Sequence, residues 1–385
     1  MMNRNKKKII RAVTVSESCV FFAEIIEKMR NDGYDMVALS SPGPELDEIR
    51  DRGFKAIEVP MERHISLVRD LRSLINLISV FRKEKPQIVH SMTPKAGLLC
   101  MMAAWLTRVP VRIHTFTGLV WPTSAGLQRK ILMATDWLTC ACATHVIPEG
   151  LGVMDDLRNG GITKKPMKVL GYGNVMGVDM KRFCKVSDHP LQNASLKQKP
   201  FTFLFVGRIV GDKGINELVE AFTLLNDKYE NTELRLVGNL ESELDPLKKE
   251  TLDRISANKS IVSTGPKFGD DLIQEYAKAD CFVMPSYREG FPNTVLEAGA
   301  MELPCVVTDI NGSREIIEDG KNGLIVPSKD KERLYKAMEI LVTDTAKRQQ
   351  MVANARPMIA SRFDKHFVQQ CQIDFYKELL KEDSI

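Results

Sequence analysis

FTFLFVGRIVGDKGINELVEAFTLL, residues 201–225, decides the fold. A strand-like run at 201–206 ends in a loop carrying Gly207, Gly211 and Gly214, and a helical pattern follows at 216–225. Glycine lets a backbone turn sharply or approach a ligand closely. Strand, glycine loop and helix together are the opening of a βαβ unit. Downstream the pattern repeats, with strands expected at 234–237, 261–264, 281–284, 305–308 and 324–326. Only helical patterns remain after Asp330, the last from about 365 to 381. Upstream, a polar stretch with two prolines at 184–200 reads as a linker.

Before that linker the alternation runs back to the start of the chain. Strands are expected at 8–16, 36–40, 56–59, 88–91, 111–116, 145–147 and 168–171. Helices fall at about 20–30, 45–51, 66–84, 96–108 and 127–140, with a short one after 147. Leu67, Leu71, Leu74, Ile75, Ile78 and Phe81 form one apolar face at helical spacing. Alternation of this kind gives α/β class, with mostly parallel sheets. The expected organisation is two Rossmann-like doubly wound domains, 1–183 and 201–364, facing a central cleft. Such sheets bind ligands outside the carboxyl ends of their strands.

Composition narrows the function. The 385 residues are 44% hydrophobic and 27% charged, which excludes wholesale disorder. None of the eight cysteines lies in a C-x-x-C, and most sit in apolar runs, so a reducing, cytosolic compartment is expected. Arg11 interrupts the first apolar run, which is too short for a secretory segment. Of the longest apolar stretches, 98–107 is too short to span a bilayer and 131–147 contains Asp136 and His145. A soluble or membrane-peripheral protein is expected. Residues 1–199 hold 30 basic and 19 acidic residues, against 24 and 31 in the remainder. That imbalance suits an anionic partner of the first half. Nucleic acid is disfavoured, because aromatics are only 7% and no basic stretch is interleaved with them.

Two segments carry candidate chemistry. In SYREGFPNTVLEA, residues 286–298, a buried strand runs into a Gly/Pro loop and then a helix. Asn293 is a candidate cap, which would leave the amides of Thr294 and Val295 in the first turn without helical acceptors. A helix start at a strand's carboxyl end suits an anion. Glu289 in the loop and Glu297 one turn into the helix would flank one ligand at different depths. In the 207–214 loop, Arg208 and Lys213 place two cations at a strand tip, suited to a diphosphate. A nucleotide sugar has this order of groups: ribose hydroxyls, diphosphate, sugar hydroxyls.

Gly207-Arg208 and Lys213-Gly214, with the Glu-x7-Glu element EGFPNTVLEA (residues 289–298), resemble the retaining glycosyltransferases of family 4. The likeness covers essentially the whole chain. VHSMTPKAG at 89–97, RIHTFTG at 112–118 and Gly177-Val178-Asp179 are similar to bacterial capsule and O-antigen members. The resemblance implies a GT-B fold with the nucleotide held by the C-terminal domain and a final helix, 365–385, returning to the N-terminal one. It implies that Arg208 and Lys213 bind the donor diphosphate and that Glu297 holds the ribose. Glu289 and the backbone of Gly290, Phe291, Pro292 and Asn293 would hold the transferred sugar, with the Thr294 and Val295 amides on phosphate. Many relatives carry a histidine near the donor sugar where this chain has Thr117. His114, three residues upstream, and Lys95, opening a helix after a proline, are acceptor-side candidates. Each has a plain alternative, as a strand-end histidine and a solvated first-turn lysine.

The expected function is transfer of a hexose or N-acetylhexosamine from a UDP-sugar to a polyprenyl-diphosphate-linked glycan, with retention, in bacterial surface polysaccharide synthesis. The expected location is the cytoplasmic, inner face of the membrane, with the anionic membrane surface as a partner. No cofactor or metal is expected: Asp-x-Asp is absent, and the histidines show no ligand spacing. The rival readings are an epimerase or hydrolase of nucleotide sugars with the same fold, and a non-catalytic nucleotide-sugar binder.

Overall fold

The computed structural model describes residues 7–62, 66–185, 199–241 and 245–382. Most of the expected linker lies outside them. The chain divides into two compact units, Met1–Met176 with His366–Ile385, and Gly177–Lys365.

The first unit contains β1 (Lys8–Ala12), α1 (Ala23–Asn31), β2 (Asp35–Ser40), α2 (Pro44–Asp51), β3 (Ala56–Glu58) and α3 (Leu67–Glu84). These are followed by β4 (Ile88–Met92), α4 (Pro94–Leu106), β5 (Val111–Phe116), α5 (Gly126–Cys142), β6 (His145–Pro148) and α6 (Leu151–Asn159). Its six parallel strands lie in the order β3-β2-β1-β4-β5-β6. One sheet face packs against α3, α4, α5 and α6. The other packs against α1, α2 and the final helix.

The second unit holds β7 (Phe201–Val206), α7 (Ile215–Lys228), β8 (Thr232–Val237), α8 (Lys249–Ala257), β9 (Ile261–Gly265) and α9 (Gly269–Lys278). Next come β10 (Cys281–Met284), α10 (Asn293–Ala300), β11 (Cys305–Thr308), α11 (Ser313–Ile316) and β12 (Gly323–Val326). Helices α12 (Lys331–Thr343), α13 (Thr345–Phe363) and α14 (Lys365–Glu382) complete the chain. The order β12-β11-β10-β7-β8-β9 repeats the topology of the first unit. In each sheet the first strand of the unit lies beside the fourth, and the winding reverses between them. Those two reversal points, β1/β4 and β7/β10, are where open α/β sheets leave a crevice.

Four expectations are corrected. The 168–171 segment is not a strand; next to it, Met167 makes an isolated bridge to Val146. Before α1 the chain forms a 3₁₀ turn, Ser16–Phe21, so the helix begins later than expected. The unit boundary falls after Met176, earlier than expected, because Val178 and Phe183 pack in the core of the second unit. Arg356 on α13 ties this segment down by donating to the carbonyls of Met180 and Phe183, both at 2.6 Å. Finally, α3 buries Ser73, Leu77 and Phe81, while Leu67, Leu71 and Ile75 face outward. The helix has apolar residues on two sides, and the sheet takes only one.

Candidate functional site

The loops leaving β7 and β10 meet at the reversal point of the second sheet. Gly214 makes this possible. It has φ +71°, and a Cβ there would lie 2.1 Å from the carbonyl oxygen of Pro285. Three polar links then join the loops. The Tyr287 N–H donates to the Asp212 carbonyl at 2.8 Å, Arg288 pairs with Asp212 at 3.1 Å, and Lys213 pairs with Glu289 at 2.5 Å. The last pair is largely shielded, its side chains only 16% and 14% exposed. Arg208, half exposed, pairs with Glu241 at 3.2 Å. A third loop closes on the same place. Gly312, beyond β11, has φ +71°, and a Cβ there would lie 2.4 Å from the carbonyl oxygen of Gly290. Two buried hydroxyls beside these loops, Ser286 and Ser313, have no hydrogen-bond partner among the described residues.

Helix α10 starts one residue earlier than the sequence suggests. Pro292 precedes it, and Asn293 is its first residue rather than its cap. The Val295 N–H already donates to the Pro292 carbonyl at 3.1 Å. That corrects the expectation for Val295: its amide is engaged. Thr294, whose amide has no acceptor among the described residues, is the stronger anion donor. Phe291 is buried against Phe363 and fixes the loop to the core.

Glu297 is positioned by a residue that sequence reading does not find. Tyr276, on α9, donates its hydroxyl to Glu297 Oε2 at 2.8 Å and lies 3.4 Å from the Thr294 carbonyl. Burial pushes the Glu297 carboxyl up to about 7, against the Tyr276 hydrogen bond and the charge of Arg182, which both pull it down. Arg288, Asp212 and Gly312 also join the site without being singled out by the sequence pattern. Only Gly312 has a sequence signal, a glycine between a strand and a short helix.

The acceptor-side candidates fare differently. His114 on β5 is buried, its Nδ1 2.9 Å from the Ser91 hydroxyl and its ring against Gly97. Burial lowers it to about 3, so it is neutral. Lys95 is not solvated; its side chain is largely buried and pairs with Asp70 at 2.5 Å. Thr117 follows β5 at its carboxyl end and is half-buried. Among the described residues, no group of three or more His, Cys, Asp or Glu is arranged to hold a metal ion.

Comparison with known proteins places this geometry. Residues 190–358 match the family model for glycosyl transferases group 1, and residues 20–173 match a glycosyl transferase 4-like domain. The chain is 33% identical to the capsular polysaccharide biosynthesis glycosyltransferase CapM of Staphylococcus aureus, over 98% of both chains. It belongs to the family 4-type glycosyltransferases. This glycosyltransferase is also 28% identical to an Escherichia coli UDP-Gal:alpha-D-GlcNAc-diphosphoundecaprenol alpha-1,3-galactosyltransferase, over 88% of this chain and 87% of that one. Its fold matches Anabaena HepE, solved in complex with UDP, with a TM-score of 0.77 and 18% identity over 96% of this chain and all of that one. The glycosyltransferase therefore has the GT-B architecture, a pair of Rossmann-like domains.

Proposed function

We propose that this glycosyltransferase moves a hexose or N-acetylhexosamine from a UDP-sugar to a polyprenyl-diphosphate-linked glycan in surface polysaccharide synthesis, with retention of configuration and without a metal ion. The observation that carries the donor assignment is the meeting of Lys213, Glu289 and the start of α10 at one strand-reversal point, with Arg208 on the same β7 loop, paired with Glu241, and Glu297 one turn further in. The acceptor class is supported by the names of two relatives that act on undecaprenyl-diphosphate sugars.

Cleavage of the anomeric C–O bond puts charge on the departing diphosphate. Arg208, Lys213 and the Thr294 amide meet that charge, more strongly in the transition state than in the ground state. Glu289 holds the sugar hydroxyls and Glu297 the ribose. The acceptor hydroxyl attacks from the face of the leaving group and gives its proton to a phosphate oxygen, so configuration is retained. Loss of one such charge-stabilising donor costs about 2.7–4 kcal/mol, roughly a hundredfold to a thousandfold in rate.

The test is incubation with a panel of UDP-sugars, with and without membrane-extracted polyprenyl-diphosphate glycans, read by mass spectrometry. Acceptor-dependent mass gain is expected, abolished in Arg208→Ala and Lys213→Ala and unaffected by excess chelator. Release of UDP and free sugar without acceptor would support a hydrolase instead, and a second nucleotide sugar of equal mass, resolved by chromatography, an epimerase.

A further inference from the structure

Two ion pairs join the β7 and β10 loops side by side, with their polarity reversed. Asp212 of the first loop meets Arg288 of the second, and the next residue of each, Lys213 and Glu289, meet as well. The proposed donor chemistry uses only the second pair. Lys213 turns to the diphosphate and Glu289 to the sugar, so the pair between them opens when the donor binds. Among the described residues, Arg288–Asp212 is then the one side-chain ion pair left between these loops.

Asp212 is committed to holding its loop. Its N–H donates to the Asp245 carboxylate, its carbonyl accepts from the Tyr287 N–H at 2.8 Å, and its carboxylate accepts from Arg288 at 3.1 Å. The other carboxylate oxygen, Oδ1, is buried with no hydrogen-bond partner among the described residues. Tyr287 is anchored in turn: it donates its hydroxyl to Glu217 on α7 at 2.7 Å, and Lys329 lies 4.7 Å from the centre of its ring. The loop that carries Lys213 needs such a hold. Lys213 ends a 3₁₀ turn of three residues, Gly211–Lys213, and Gly214 follows it. Glycines leave the backbone many conformations, and so short a turn has little hydrogen bonding of its own to select one.

We infer that Arg288 is a positioning residue: its ion pair with Asp212 holds the β7 and β10 loops in register while Lys213 and Glu289 part to take the donor. This rests on the donor site proposed for Lys213 and Glu289, and adds to it a residue that acts only through them.

Steady-state transfer from the UDP-sugar tests the clamp, with melting and calorimetric UDP binding measured on the same full-length proteins. The pair is 38% and 26% exposed, so its loss should lower the melting temperature by at most about 4 °C. Arg288→Gln and Asp212→Ala should nevertheless each lower kcat about a hundredfold, the effect of displacing a reacting group by about 1 Å. KM should stay within about threefold, because Lys213 acts chiefly on charge that develops in the transition state. The calorimetric stoichiometry gives the active fraction and separates this loss from unfolding. Among the described residues Arg288 uses one nitrogen for the contact, so Arg288→Lys should stay within about tenfold of the parent. In the Lys213→Met/Glu289→Gln protein, adding Arg288→Gln should cost no more than about threefold, since the residues it positions are already gone.

Arg288→Gln transferring within threefold of the parent overturns the inference, as does Arg288→Lys no better than Arg288→Gln. So does a loss that multiplies in full with that of Lys213→Met/Glu289→Gln. An active Asp212→Ala beside an inactive Arg288→Gln overturns it too, because Arg288 would then meet the donor itself. If the parent neither binds UDP nor transfers from a UDP-sugar, the donor reading falls and the clamp with it. If the parent does both and the Arg288 variants match it, only the clamp falls.

Discussion

The Lys213–Glu289 pair allows stability and catalysis to be separated. Removing one partner of a buried ion pair costs about 3–5 kcal/mol, because the other charge is left unpaired, whereas exposed pairs are worth about 0.2–1 kcal/mol. The two side chains here are 16% and 14% exposed. That intermediate shielding sets the loss for Lys213→Met or Glu289→Gln at roughly 2 kcal/mol. In a unit of this size the melting temperature should fall by about 4–8 °C. The double variant Lys213→Met/Glu289→Gln leaves no unpaired charge and should recover to within about 1 kcal/mol of the parent. Transfer behaves otherwise: if the pair opens to bind the donor, both singles and the double should lose at least about a hundredfold in rate. Urea unfolding and acceptor-dependent transfer, measured on all four proteins, complete the cycle. A double variant as unstable as the sum of the singles would refute the ion-pair reasoning. One that transfers within tenfold of the parent would refute the role of these residues in donor chemistry.

Glu297 should make UDP binding pH-dependent. Ribose hydroxyls donate to a carboxylate, so calorimetric affinity should fall as pH drops below about 7, and Glu297→Gln should bind weakly at every pH without that slope. Its raised pKa favours folding at acid pH, a contribution lost as pH rises through about 7. Glu297→Gln should therefore raise the melting temperature more at pH 8 than at pH 5. Tyr276→Phe removes the hydrogen bond that favours the carboxylate, and should move the midpoint of that binding profile upward. Gly97→Ala sets a methyl group 2.3 Å from the His114 ring and should destabilise the first unit by about 1–3 kcal/mol in thermal melts. Gly312→Ala should raise the KM for the UDP-sugar, because it pushes on the Gly290 carbonyl; an unchanged KM would mean that the third loop is no part of the donor site.

The sequence by itself determined the alternation, and with it both sheets. Short β runs bounded by Gly, Pro, Asn or Ser, and helices at 3.6 spacing, depend on neighbours within a few residues, so they are readable in one dimension. The glycine loop at 207–214 and the two glutamates eight apart were legible for the same reason: a strand tip and a helix start are local features. What contacts what was decided only in three dimensions. Two sides of α3 are apolar, and periodicity cannot say which one meets the sheet. His114 and Lys95 sit in motifs that point to a ligand, yet Ser91 and Asp70, more than twenty residues away, take them up. Tyr276 reaches Glu297, and Arg288 reaches Asp212, across similar or longer gaps. Burial and hydrogen-bond partnership are properties of packing. They set which charges are neutralised, which hydroxyls are orphaned and which apolar faces are left exposed.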